Sequence, residues 1–411
     1  MSIDYSFPMK QKLLIISPYL PWPLRSGGNV GVFYMLSYVT KFMDVTLMTT
    51  LNKINTREYC SELQQQLPEL TIKMYDYKES DFKKYDYARK LTKRIDERLP
   101  FGVSKANRLT LNRTDQLTPG FIKYINDYIE QNKIDIVQVE FVAMLPIVYA
   151  LPKSVKKIFI HHELGWVRDE LTYGNNIYDE AVKAILKDNE IAMCNRYDTV
   201  AALTDVDKQK LAEAGVKTNL AVSTLAISKE TQPYVEQKFN GHLSFVGGSG
   251  HNPNYVGVIW FVKNVLPLIR KQLPEIQIDI VGNWPEQARK DIHAIDSSVN
   301  FLGFVDKLED GIRNTLMVVP ITIGSGMRMK ILEAANHSVP FVATVVGAEG
   351  LDFHSGKDCY IEDDPQKQAE FIVKLCRDAE LFSSMSKAIH KNFVDNYSFV
   401  ALGSKRMELY K

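Results

Sequence analysis

The sequence predicts an α/β fold built in two parts, each a buried parallel sheet wrapped by helices. Three observations carry this expectation. Short runs rich in Val, Ile and Leu recur along the chain, longer helical patterns separate them, and the series stops at a polar stretch and then restarts. With 411 residues the chain is long enough for two full-sized domains.

In chain order the first series is "LLIIS" (13–17), "DVTLMTT" (44–50), "IDIVQVE" (134–140), "KKIFIHH" (156–162) and "TVAALT" (199–204). Brief apolar runs of this kind fit strands covered on both faces. The clearest helical pattern between them covers 179–195. After "STLAIS" (223–228) the chain turns polar through "KETQPYVEQKFNGH" (229–242), read as the hinge. A second series follows with "LSFVGG", "IQIDIVG", "VNFLGF", "LMVVPI" and "PFVAT". The first domain is therefore expected over 1–228.

Charge narrows the function. Lys+Arg 50 against Asp+Glu 49 leaves no bulk bias, which argues against nucleic acid as a partner. The four cysteines, Cys60, Cys194, Cys359 and Cys376, lie far apart without a CxxC or a Cys/His cluster. That pattern fits reduced thiols in a cytoplasmic protein and gives no metal site. The apolar run after Lys12 is short and soon meets prolines, unlike a signal-peptide core. No run of roughly 18 apolar residues occurs, so attachment to a membrane surface is the most that is expected. The segment 83–113 is dense in Lys and Arg with interleaved Tyr, Leu and Phe. It reads either as a solvated helix face or as a basic surface for an anionic acceptor or lipid headgroups.

The strongest chemical signal is "ITIGSGMRMKILEAANHSVPFVAT" (321–344). A strand ends, Gly324, Ser325 and Gly326 turn the chain, and a helix of strong formers begins. The first amides of a helix lack partners and share the positive end of its dipole, so this position suits an anion. Arg328 and Lys330 would add full charges there. Glu333, three residues beyond Lys330 and on the same helix face, could pair with it or accept hydrogen bonds from ribose hydroxyls. A second glycine turn, with Arg25, Gly27 and Gly28, follows the first strand, and a third, with Gly248, lies in "FVGGSGHNPNYVGVIWFV" (245–262). Asn252 or Asn254 is expected to cap the helix after the third turn. Trp260 and Phe261 are expected in the core. His161 and His162 end a strand and should face opposite ways, one toward a ligand and one inside. Glu163 and Arg168 could pair with each other.

These segments resemble the retaining glycosyltransferases of family 4, which have the GT-B architecture of two facing Rossmann-like domains and an interdomain cleft. The resemblance rests on "P-x-P-x-x-S-G-G" near the start, on "IDIVQVE", on "FVGGSGHNPN" with its following "WF" and "VLP", on "LGFV", and on "GSGMRMKILEAANHSVPFVATVVGAEGL". It implies a nucleotide-sugar-binding domain over 229–398, an acceptor-binding domain over 1–228, and a C-terminal helix (399–411) that packs back on the first domain. The donor would be a UDP- or GDP-linked sugar, with no further cofactor and no metal, and the acceptor a glycan or a lipid-linked hydroxyl. Glu333 matches the motif glutamate that contacts the ribose. Lys330 and Arg328 would neutralise the diphosphate, and Gly27 and Gly28 would approach it from the first domain. Gly248, Ser325 and Gly326 would complete the donor site. His162, ahead of His161, would face the donor sugar.

Two departures stand out. The first motif glutamate is here Ser325, and the usual Arg/Lys pair is missing from "GGSGHNPNY". They shift the diphosphate role onto Arg328 and Lys330. The implied reaction is hexose transfer with retention, in which the departing diphosphate helps to deprotonate the acceptor, so no paired carboxylates of the hydrolase kind are needed. A nucleotide-sugar epimerase and a non-catalytic sugar-nucleotide-binding subunit remain as alternatives. A role in bacterial surface polysaccharide assembly is what the resemblance suggests.

Overall fold

The computed structural model describes residues 10–24, 26–78, 116–324 and 327–411. They form two compact units, one running to Ala226 and including Leu402–Lys411, the other comprising Ile227–Ala401.

Among the described residues the first unit holds seven strands: β1 (Lys12–Ile16), β2 (Asp44–Thr50), β3 (Thr71–Tyr75), β4 (Ile136–Glu140), β5 (Lys156–His161), β6 (Thr199–Ala202) and β7 (Asn219–Val222). They pair in parallel in the order β3-β2-β1-β4-β5-β6-β7. Leu13, Leu14, Val137, Phe159 and Val200 are fully buried, as strands covered on both faces require. The second unit repeats the plan with β8 (His242–Val246), β9 (Gln277–Val281), β10 (Asn300–Gly303), β11 (Leu316–Val319), β12 (Phe341–Ala343) and β13 (Tyr360–Ile361). Its order is β10-β9-β8-β11-β12-β13, again all parallel. The α/β class expected from the sequence is thus present in both units.

In each sheet the strand order reverses once, between β1 and β4 and between β8 and β11. Open parallel sheets bind ligands beyond the carboxyl ends of strands at such switch points. The helix Gly27–Val39 starts just beyond β1, where the Ser26 hydroxyl accepts from the Asn29 amide at 3.2 Å. The helix Asn252–Asn264 follows β8 and lies close against the exit of β11, for a Cβ on Gly257 would fall 2.4 Å from the Pro320 carbonyl oxygen.

The last residues pack within the first unit. Gly403 meets the Tyr38 ring, where an added Cβ would lie 2.4 Å from ring carbons, and Ser404 Oγ is 3.1 Å from the Tyr38 hydroxyl. Lys156 Nζ donates to the carbonyls of Leu409 and Lys411, both at 2.9 Å.

Candidate active site

In the second unit, residues after β8 and β11 converge. Gly247 has φ +138, a region that side chains disfavour, and a Cβ there would lie 2.6 Å from Asn254 Nδ2 and 3.2 Å from Lys330 Nζ. The glycine therefore makes room for both side chains. Asn254 donates from Nδ2 to the Gly248 carbonyl at 2.9 Å and accepts the Lys330 ammonium on Oδ1 at 2.7 Å. The same ammonium sits 4.3 Å from the centre of the Phe245 ring, a cation–π contact. Arg328, buried, donates to the Val346 carbonyl at 3.2 Å and to the Gly324 carbonyl at 3.1 Å, so it ties down the glycine turn.

Lys330 and Glu333 both lie on the helix Met329–Asn336, but the lysine reaches Asn254 instead of pairing with the glutamate. Among the described residues none hydrogen-bonds the Glu333 carboxylate. Burial, reinforced by Arg328 and opposed by Glu333, pushes Lys330 down to about 7. Burial, opposed by Lys330, pushes Glu333 up to about 7. Both side chains keep partial solvent access, so water moderates these penalties. His251, at the start of the Asn252–Asn264 helix, is lowered by burial and by the charges of Lys330 and Arg328. The pocket is short of negative charge.

In the first unit, Gly28, Phe141 and His162 come together beyond β1, β4 and β5. Phe141 stacks on the His162 ring at 3.9 Å and 13°, and its ring atoms lie 3.8 Å from where a Gly28 Cβ would be. Tyr19 meets Phe141 edge-on at 5.4 Å. Phe141 holds φ 66, rare for a bulky residue. His162 Nε2 contacts Glu140 Oε2. His161 instead lies in the core, 1% exposed, with Nε2 2.9 Å from Glu190 Oε1 but off the hydrogen-bond line. Glu163 and Arg168 form a loose pair at 3.6 Å.

Not every expectation survives. Neither Asn252 nor Asn254 caps its helix: His251 occupies the cap position without a side-chain bond, because the Asn254 carboxamide is committed to Gly248 and Lys330. Phe261 is core at 1% exposure, whereas Trp260 is only half-buried. Gly27 opens its helix. Gly248 packs on backbone, an added Cβ lying 2.9 Å from the Asn283 carbonyl. Arg25, Ser325, Gly326 and the basic segment 83–113 lie outside the described residues.

Comparison with known proteins adds to this geometry. Residues 240–378 match the family model described as "Glycosyl transferases group 1". That span contains the whole Lys330 pocket. A Klebsiella pneumoniae protein, named as an uncharacterized 44.6 kDa protein in the cps region, is 23% identical over 88% of this chain and 90% of its own. Among solved structures, a TarM variant from S. aureus with fondaparinux, α-GlcNAc-glycerol and UDP matches with a TM-score of 0.69 at 14% identity, covering 98% of this chain and 100% of its own. HepE of Anabaena with UDP matches at 0.64 and 11%, over 97% and 99%. Sucrose-phosphate synthase of Thermosynechococcus elongatus matches at 0.69 and 14%, over 98% of both chains. At such identities the structures establish the fold, that of GT-B glycosyltransferases. The family match covers the pocket of the second unit and not the first unit.

Sequence reasoning gave no weight to Glu140, although the signal was present. Gln138 and Glu140 are two apart in an otherwise apolar strand, so they share one face and need partners there.

Proposed function

We propose that the protein is a retaining glycosyltransferase that moves a hexose from a UDP- or GDP-linked sugar to a hydroxyl of a glycan or lipid-linked acceptor during surface polysaccharide assembly. The observation that carries this reading is the Lys330 pocket, where two cations meet a carboxylate that no described residue hydrogen-bonds, at a sheet switch point. Lys330 and Arg328 neutralise the diphosphate as it departs, a charge that grows in the transition state. Glu333 accepts hydrogen bonds from the ribose hydroxyls, which explains a carboxylate that no described residue hydrogen-bonds. Gly247 and Gly248 let the backbone approach the donor. Gly27 and Gly28 serve the diphosphate from the first unit, and Ser325 and Gly326 extend the turn. His162 faces the donor sugar. The departing diphosphate takes the acceptor proton on the same face, so the anomeric configuration is kept. Because side chains carry the neutralising charge, turnover is metal-independent, and EDTA should leave it unchanged.

The test is thermal stabilisation by UDP, GDP and their sugars in wild type, Lys330→Ala and Glu333→Ala. A ligand that binds only the native state raises Tm. A shift with one nucleotide, lost in both variants, supports the donor site and names the base; no shift with any nucleotide overturns it. Products formed from donor alone would identify an epimerase instead. We place the enzyme at the cytoplasmic membrane face, with 83–113 holding a lipid-linked acceptor. Co-sedimentation with anionic vesicles that survives neutralisation of those charges would defeat that placement.

A further inference from the structure

A buried hydrogen-bond relay in the first unit leads to His162, and it has a direction. Arg406, 1% exposed, places a buried positive charge beside this group. The Tyr410 hydroxyl donates to Gln138 Oε1 at 2.6 Å. That fixes the Gln138 amide, whose Nε2 donates to Glu140 Oε1 at 2.6 Å. The other Glu140 oxygen meets His162 Nε2. Glu140 is 3% exposed. Burial pushes its carboxyl up, but His162, Arg406 and Gln138 outweigh this and hold it below the usual carboxylate range.

An ionised carboxylate only accepts, so it fixes a proton on His162 Nε2, and a ring with a single proton then has its lone pair on Nδ1. No described residue bonds Nδ1. The Phe141 stack sets the plane of the ring.

We propose that Glu140, backed by Gln138, Tyr410 and Arg406, is a positioning residue that holds His162 as the Nε2–H tautomer and so presents the Nδ1 lone pair to a hydroxyl of the donor sugar. The inference rests on the reading of His162 as the residue that faces that sugar. It makes the C-terminal residues part of the site, although Tyr410 lies 272 positions from Gln138.

The relay predicts an inversion. In Glu140→Gln, the Gln138 donor still requires an oxygen opposite it, so the new amide turns its NH2 toward His162. His162 Nε2 becomes an acceptor, and the proton moves to Nδ1. The imidazole 15N spectrum of the full chain reads this directly, and nucleoside diphosphate release from UDP-glucose and GDP-mannose reads turnover. Glu140→Gln should invert the tautomer and lower kcat at least about tenfold, as a misplaced ring proton does elsewhere, with KM changed less than about threefold. Tyr410→Phe, which removes one oxygen and keeps the packing, frees Gln138 to rotate and should give a mixed tautomer with a smaller kcat loss. It serves if Glu140→Gln fails to fold. An unchanged ring spectrum in both variants, or inversion without loss of kcat, overturns the proposal. Wild type that binds neither sugar nucleotide nor releases diphosphate would overturn the proposed function instead, and the ring spectra would then decide the relay alone.

Discussion

Glu140 and Glu333 are both carboxylates beside a base at the switch point of a parallel sheet, yet their protonation moves in opposite directions. Glu140 is the more enclosed, and it is held below the usual range because His162, Arg406 and Gln138 surround it. Glu333 is the more open, and it is pushed up to about 7 because Lys330 alone opposes its burial. The number of partners decides the direction, and the depth of burial does not. The first site is finished inside the chain, whereas the second has charges left for a ligand to satisfy. That contrast is what a rigid positioning network and an anion pocket require.

The largest effect should come from breaking the finished site. Glu140→Leu leaves the Gln138 amide and His162 without their buried acceptor and removes the charge that offsets Arg406, and loss of one member from a buried charge network destabilises by about 3–5 kcal/mol. Urea denaturation followed by the fluorescence of the first unit should show it, and an unchanged midpoint would mean that Arg406 finds another partner. Next comes the open site. Lys330→Ala should reduce turnover by about a hundred- to a thousandfold, the usual result of removing one electrostatic contact to developing charge. Its stability should hardly change, since a lysine lowered by burial disfavours the folded state while it is charged. Wild-type turnover in that variant would sink the assignment of the pocket.

The same contrast explains what the sequence could reveal. Strands covered on both faces, such as β1, β4 and β8, announce themselves as short, mostly apolar runs. β3 ("TIKMY") and β7 ("NLAV") went unmarked because they are sheet edges, mostly half-exposed, and need no such run. Arg328, Lys330 and Glu333 were legible as a group because they follow one glycine turn within a few residues. Asn254 was noticed for the wrong reason, as a helix cap, since its bond to Lys330 spans 76 positions. Glu140 shows locally only as a polar residue two positions from Gln138 in a buried strand, and Arg406 and Tyr410 give no local signal, because their meeting is made by the path of the whole first unit.

pH should separate the two groups of the open pocket. Lys330 loses its proton near 7 in the free chain, and a bound diphosphate restores the charged form, so above that pH binding must take up a proton. Affinity for UDP or GDP should therefore fall about tenfold per unit as pH rises beyond 7. Glu333 gains a proton as pH falls below about 7 and then no longer serves as a full acceptor for ribose, so affinity should also fall on the acid side. Calorimetric titration across pH 5.5–9 should give a maximum near neutrality. Lys330→Arg should flatten the alkaline limb alone, and Glu333→Gln the acid limb alone; a profile unmoved by either substitution would show that these groups do not touch the nucleotide.

The smallest effect is also the sharpest test of the comparison. A carboxyl raised in the folded state adds stability below its unfolded pKa and loses it as pH rises through about 7, so at pH 8 ionised Glu333 weighs against the fold. Glu333→Gln should therefore leave the ligand-free protein unchanged or slightly more stable at pH 8, by about 0.5 kcal/mol or less. At pH 4.5 the difference should vanish, since both side chains are then neutral in the folded chain. Glu140, held low, has the opposite linkage: its contribution is present above the ordinary carboxylate range and is lost as pH falls through the lowered value. Glu140→Gln should accordingly weaken the protein most at neutral pH and least in acid. If Glu333→Gln proved as destabilising at pH 8 as Glu140→Gln, the second carboxylate would have a partner inside the chain after all, and the pocket would be a structural ion network with nothing left to offer a ligand.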